Sequence, residues 1–301
     1  MLTLHAHQTG SLAAKAPDLK EDSSVGHVIA SFPNSFYVKM RNDQLLFITN
    51  LSLRSPITIN VKYSGNFTNI VKPLEPVSFY KRRLCTIDLS IEVTGANDED
   101  EIFLVDKELP YPKLMQDSIL LSTILNLIEN SRSSLDQNQP IVHDSISNFV
   151  RHGLLPLRDN GSMPEFAAAA GKIVGLGLGF TPSGDDLLLG FLVIYNSLSP
   201  AIARTPVYLG FELLARRTSW ISAKLLDYAQ HLQVDGELLR VIRSTLNPAE
   251  DTVLALETLI SRGHTSGIDI VTGAVLGLSV VCDIALRGGN TEIIAAKLGL
   301  L

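Results

Sequence analysis

Two stretches of this chain set hydroxyl and carboxylate side chains beside glycine at the mouth of a long apolar segment. Ser183-Gly184-Asp185-Asp186 runs on to Gly190, and Ser266-Gly267-Ile268-Asp269 runs on to Gly273. In each copy Ser-Gly leads, an Asp follows two residues after the Gly, and a second Gly follows four residues after that Asp. A polar entry to an apolar helix leaves the first N–H groups free, and the helix dipole favours an anion there. The carboxylates could hold an amide or ureido NH₂, bind Mg²⁺ or act as a base. Neighbours on a helix are ~100° apart, so Asp185 and Asp186 cannot address one atom together. The repeat aligns Asp186 with Asp269, and Asp185 with Ile268, which makes Asp186 and Asp269 the expected pair. The plainer alternative is that these acids complement the dipole, and that Gly190 and Gly273 serve only close helix packing.

The residues in front strengthen the functional reading. Gly175-x-Gly177-x-Gly179 lacks the spacing of a dinucleotide fingerprint and the Lys of a phosphate-binding P-loop. It reads as a tight loop that gathers N–H groups into a nest for phosphate or carboxylate. Thr181-Pro182 signals a helix start with Thr181 as cap, and Thr265 or Ser266 caps the second copy. Gly184 removes a side chain where a ligand could approach the backbone. Ser183 and Ser266 are candidate hydrogen-bond donors, and neither sits in a nucleophile elbow. His264 precedes Thr265-Ser266-Gly267 at the expected pocket rim, as a donor, a proton shuttle or a surface cap. Of Arg216 and Arg217, one is expected to grip a carboxylate, and Arg217 is the choice. Trp220 is expected in the core and Lys172 in solvent. If the two helices lie side by side, their N-termini converge on one pocket.

The elements that must position these residues fall into two halves. Residues 1–24 read as a polar tail, and His5-Ala-His7 within it as surface rather than metal site. From about 25 to 110 the chain is β-like. Ser35–Met40, Gln44–Thr49, Ile57–Lys62, Ser78–Tyr80, Leu84–Ser90 and Glu101–Val105 are short, rich in β-branched and aromatic residues, and divided by turn signals. The acidic run Asn97–Glu101 reads as a solvated loop. After Pro110 and Pro112 the spacing becomes helical. Helices are expected over 114–131, 141–152, 164–174, 182–197, 211–232, 236–246 and 249–262, the last ended by Gly263. A final helix runs from Thr265 or Ser266 to Leu286, where Gly288-Gly289 break it. The fold class is therefore α+β: an antiparallel sheet or small barrel over 1–110, then a helical domain over 111–301.

Composition narrows the partners. With 46% hydrophobic residues and a net charge of −6, the chain can bury a core and has no clustered basic face. Nucleic-acid binding is not expected. Cys85 and Cys282 form neither a disulfide framework nor a zinc site. There is no signal-peptide pattern at the N-terminus, and the run Ile270–Cys282, closed by Asp269 and Asp283, is short for a bilayer. A soluble cytoplasmic protein is expected. The sequence identifies no metal-ligand set and no cofactor beyond the Mg²⁺ that the two Asp residues could hold. The apolar helical half hints at a homo-oligomer.

Three motifs together resemble one family. Gly-x-Gly-x-Gly-Phe-Thr-Pro-Ser-Gly-Asp-Asp (175–186), Arg-Thr-Ser-Trp-Ile-Ser-Ala-Lys-Leu-Leu (217–226) and Gly-His-Thr-Ser-Gly-Ile-Asp (263–269) resemble the family of the H subunit of oxamate carbamoyltransferase. Members often carry Pro where Leu178 stands. The resemblance implies a subunit of a complex in anaerobic allantoin breakdown that converts oxalurate and phosphate to oxamate and carbamoyl phosphate. It implies other transferase subunits as partners and a small anion as ligand. Two alternatives are a non-catalytic assembly or regulatory subunit, and an enzyme on the same scaffold acting on another small carboxylate or carbamoyl compound.

Overall fold

The computed structural model describes residues 1–14, 24–51, 53–80, 82–93, 97–98, 122, 125–126, 128, 140–246, 251–261 and 265–301. The chain divides into two compact units, Met1–Glu101 and Ile102–Leu301. The expected boundary at 110/111, the expected strand Glu101–Val105 and most of the expected helix 114–131 lie outside the described residues.

The first unit is built from β1 (Leu2–Thr9), β2 (Ser24–Phe32), β3 (Ser35–Met40), β4 (Leu45–Thr49), β5 (Thr58–Val61), β6 (Pro76–Tyr80), β7 (Arg83–Cys85), β8 (Leu89–Glu92) and β9 (Asn97–Asp98). The order β5-β4-β3-β2-β6-β7-β8-β1 closes on itself through β1 and β5, and β9 extends β1. The result is a barrel, so closure removes the exposed edges that an open sheet would leave. Leu4, Phe36, Val38, Met40, Ile48, Ile59, Val77, Leu84 and Ile91 pack together as its core.

Four expectations are corrected here. The sheet is mixed: β1 runs parallel to β8 and β9, and β4 runs parallel to β5. β4 ends at Thr49 and β5 begins only at Thr58, so a hairpin is not imposed there. The polar tail is β1, with Leu4 and Ala6 buried and His5 and His7 exposed. Alternating histidines mask a strand whose other face is apolar. Leu84–Ser90 is two strands that turn at Thr86–Asp88, and Asn97–Asp98 pairs with β1.

The second unit is helical. After α1 (Ser11–Ala14) of the first unit come α2 (Pro140–Phe149), α3 (Leu155–Asn160), α4 (Met163–Ile173), α5 (Ser183–Leu198), α6 (Phe211–Ala215), α7 (Trp220–Gln230), α8 (Gly236–Leu246), α9 (Thr252–Ile260), α10 (Ser266–Leu286) and α11 (Asn290–Lys297). A π turn at Val150–Leu154 joins α2 to α3. Pro156 lacks an N–H and its ring crowds the carbonyl a turn earlier, which the wider turn relieves.

The expected single helix 211–232 is two helices, because Ser219 caps α7 by accepting from the Ser222 N–H at 3.1 Å. Trp220, expected in the core, opens α7 half-buried. The helix expected from Ala249 is described from Thr252, with Asp251 as its cap. α10 ends at Leu286, ahead of Gly288-Gly289 as expected, but it is not the final helix. Buried Asp283 accepts from the N–H groups of Asn290 at 2.7 Å and Thr291 at 2.8 Å and so starts α11.

α5 and α10 form the centre of this unit. A Cβ on Gly190 would overlap the Ile270 carbonyl, and one on Gly273 would overlap the Leu187 carbonyl. Gly277 lies against Phe191 and Ile194, so the helices run in the same direction with backbones in contact. By length and composition α10 could cross a membrane, which the sequence reading of a shorter run missed. In the fold, 89% of its apolar window is buried.

Candidate functional site

The parallel pairing of α5 and α10 brings the two copies of the sequence repeat together. Pro182 is the N-cap of α5 and Thr265 the N-cap of α10, and neither helix has a side-chain cap hydrogen bond. Thr181 was expected to cap α5. Instead its hydroxyl donates to Asp186 Oδ2 at 3.0 Å, and its oxygen lies 3.1 Å from Ser266 Oγ. Thr181, Asp186 and Ser266 thus form one cluster across the two helix starts. Asp186 is 4% exposed and Asp269 8% exposed.

Burial is the dominant influence on Asp186. Removal from water pushes its carboxyl up to about 7, hydrogen bonds from Ser266 and Thr181 oppose the rise, and the charges of Asp269 and Asp185 add to it. A carboxyl that changes charge near neutral pH is suited to acid or base work.

Asp185 has a different setting. Its Oδ1 accepts from the Gly175 N–H at 2.8 Å, and its Oδ2 accepts from Ser222 Oγ at 2.6 Å and from Thr218 Oγ1. It is 2% exposed.

The glycine loop frames one side. Gly175 and Gly177 have φ of 77° and 117°, a region that an L side chain resists. The backbone at Gly175 presses on the Arg217 carbonyl, and Gly177 presses on the Ser183 N–H group. A Cβ on Gly179 would meet only the Thr181 carbonyl, at an ordinary 3.8 Å, while Leu178 is 77% exposed.

Gly184 and Gly267 prove to be packing glycines. A Cβ there would overlap the carbonyls of Ile173 and Leu259, so the space expected for a ligand at Gly184 is filled by the chain. The N–H of Gly184 donates to the Leu176 carbonyl at 2.9 Å, and those of Asp185 and Asp186 donate to the Pro182 carbonyl at 2.9 and 3.1 Å. These three N–H groups of the first turn of α5 are therefore spent within the chain. On α10, Asp269 N–H donates to the Thr265 carbonyl at 3.1 Å.

Arg217 is exposed and donates through Nη1 to the Gly171 carbonyl at 2.7 Å, at the end of α4. Lys172 is exposed as expected. His264 and Gly263 lie outside the described residues. Among the described residues, no group of three or more His, Cys, Asp or Glu is placed to hold a metal ion. The sequence missed Thr218 and Ser222 as the partners of Asp185. Their only signal was hydroxyl residues around Trp220.

Residues 173–278 match the family model described as oxamate carbamoyltransferase subunit AllH. The matched segment holds the glycine loop, both helix starts and the Thr218–Ser222 cluster, and over it the chain is AllH-like. No solved structure matches the chain.

Proposed function

We propose that this AllH-like chain is the subunit of an oxamate carbamoyltransferase that binds a small anionic substrate where α5 and α10 begin. The observation that carries the reading is the cluster of Thr181, Asp186 and Ser266 within the matched segment. It joins the two helix starts at 3.1 Å and holds a buried carboxyl that titrates at about 7.

The reaction would transfer the carbamoyl group of oxalurate to phosphate, giving oxamate and carbamoyl phosphate. Asp269 would accept from the carbamoyl NH₂ as a carboxylate, and Asp186 would accept through the carboxyl oxygen that does not carry its proton. Phosphate oxygen attacks the carbamoyl carbon, the C–N bond to oxamate breaks, and the departing nitrogen takes a proton. Asp186 is the proposed donor, since half of it carries a proton near pH 7. The N–H groups of Gly177, Gly179 and the first turn of α10, from Ser266 and Gly267, are the proposed oxyanion and anion donors. Ser183, Thr181 and Thr265 would line the entry. Arg217 would offer the substrate carboxylate the guanidinium edge that does not bind Gly171. Asp186 and Asp269 could also bring Mg²⁺ to the phosphate. A cytoplasmic setting, partner subunits and self-association of the helical unit belong to the same proposal.

The test is turnover of the assembled complex. Asp186→Asn and Asp269→Asn are each expected to lower it by about a hundredfold or more, within the usual range for acid–base groups. Intact turnover in both variants would leave this chain an assembly or regulatory subunit.

A further inference from the structure

Asp185 stands beside Asp186 in the sequence, yet its surroundings give it another task. Three donors from two separate stretches of chain meet on its two oxygens: the Gly175 N–H, and Thr218 Oγ1 with Ser222 Oγ. Those partners lie 10, 33 and 37 residues away along the chain. A carboxylate accepts on both oxygens and donates nothing, so it can satisfy all three at once. At the same place the backbones of Gly175 and Arg217 are pressed together, and Arg217 ties back to the Gly171 carbonyl. The positive φ of Gly175 belongs to this junction.

We propose that Asp185 is a positioning residue, which pins the start of the glycine loop and the turn at 217–219 to the first turn of α5 and so sets the shape of the site beside Asp186. The inference rests on the reading of that site as the place where substrate binds. Asp185 itself makes no contact with substrate. Its carboxylate is enclosed by its three donors, and the loop N–H groups and Thr181 do the binding that it keeps in register. Loss of the junction frees the loop to open away from Thr181 without unfolding the α5–α10 pair, which is held by its own glycine contacts.

The experiment uses the full chain and three variants: Asp185→Ala, Asp185→Asn, and the double variant Thr218→Val with Ser222→Ala. Hydrogen exchange on the ligand-free protein reads the junction directly. Asp185→Ala and the double variant are expected to speed exchange over residues 175–181 by about tenfold or more, with α10 unchanged. Asn at 185 can still accept from the Gly175 N–H and can donate to the two hydroxyls, so exchange there is expected within about threefold of the parent.

The rise in melting temperature caused by oxalurate or phosphate is the second readout. It should survive in Asp185→Asn and vanish in Asp185→Ala. If Asp185→Ala fails to fold, the double variant carries the test. A protected loop in Asp185→Ala, or loss of the ligand response in Asp185→Asn with its loop intact, overturns the proposal. If the parent chain responds to no ligand while the exchange pattern holds, the positioning role stands and the reading of the site as an oxalurate or phosphate site fails.

Discussion

Thr181 and Ser266 are separated by 85 residues, and their hydroxyl oxygens lie 3.1 Å apart. Thr181 precedes α5 and Ser266 opens α10, and the contact exists because the two helices run in parallel with their backbones touching at Gly190 and Gly273. Both hydroxyls bond to Asp186 and hold its carboxyl down against the burial that raises it, so the helix pairing bears directly on that titration.

The helix contact gives the first prediction. Gly190→Ala and Gly273→Ala each place a methyl group onto a carbonyl of the opposite helix. Each should cost about 3 kcal/mol or more, or abolish folding of the helical unit, because backbone cannot move aside as a side chain can. Gly210→Ala, with open space around it and an ordinary φ, is the control and should stay within about 1 kcal/mol of the parent. Urea unfolding of the three variants checks this.

Asp186 makes stability depend on pH. Its carboxyl titrates near 3.8 in an unfolded chain and at about 7 in the fold. Between these values the folded state keeps a proton that the unfolded state has lost. Stability therefore falls as pH rises through that window and stays lowered above it. Asp186→Asn removes the cost. It should be close to neutral at pH 4 and more stable than the parent at pH 8 by up to about 4 kcal/mol, the full value of such a shift. Melting temperatures of both proteins across that range decide it. An equal difference at both ends would show that the carboxyl is not displaced.

Thr181→Val removes a donor from Asp186 and keeps the shape of the side chain. The hydroxyl holds the carboxyl down, so its loss should raise the titration of Asp186 further. The variant should also lose about 1–2 kcal/mol at pH 8, where the acceptor is charged. The pH dependence of unfolding, compared with Asp186→Asn, reads both effects.

In the first unit, Leu4→Ala tests whether β1 belongs to the barrel. Leu4 is buried in the barrel core, and β1 closes the ring between β8 and β5. The expected loss is about 3 kcal/mol from that unit, as for other buried Leu-to-Ala changes. A change near zero would return residues 2–9 to the status of a tail.

What could be read from the sequence was what repeats locally. The α5 and α10 starts were legible as two copies of Ser-Gly-x-Asp, whereas their parallel pairing is given by the fold, in which Gly190 and Gly273 meet the opposite backbone. β1 was hidden because His5 and His7 fill its outer face and only Leu4 and Ala6 announce the inner one. The break between α6 and α7 hung on the Ser219 cap, which a helical apolar pattern on both sides obscured. The partners of Asp185 were illegible for a stronger reason: 33 and 37 residues separate Thr218 and Ser222 from it, and only the tertiary fold closes that distance.

The most direct test of the central claim is the melting temperature of the full chain titrated with oxalurate, with phosphate and with both. A ligand at about 100 times its Kd adds about 2.7 kcal/mol, which reads as a clear rise. The account predicts a rise with oxalurate, or with oxalurate and phosphate together, that is lost in both Asp186→Asn and Asp269→Asn. A rise that persists undiminished in both variants would place the ligand elsewhere and contradict it.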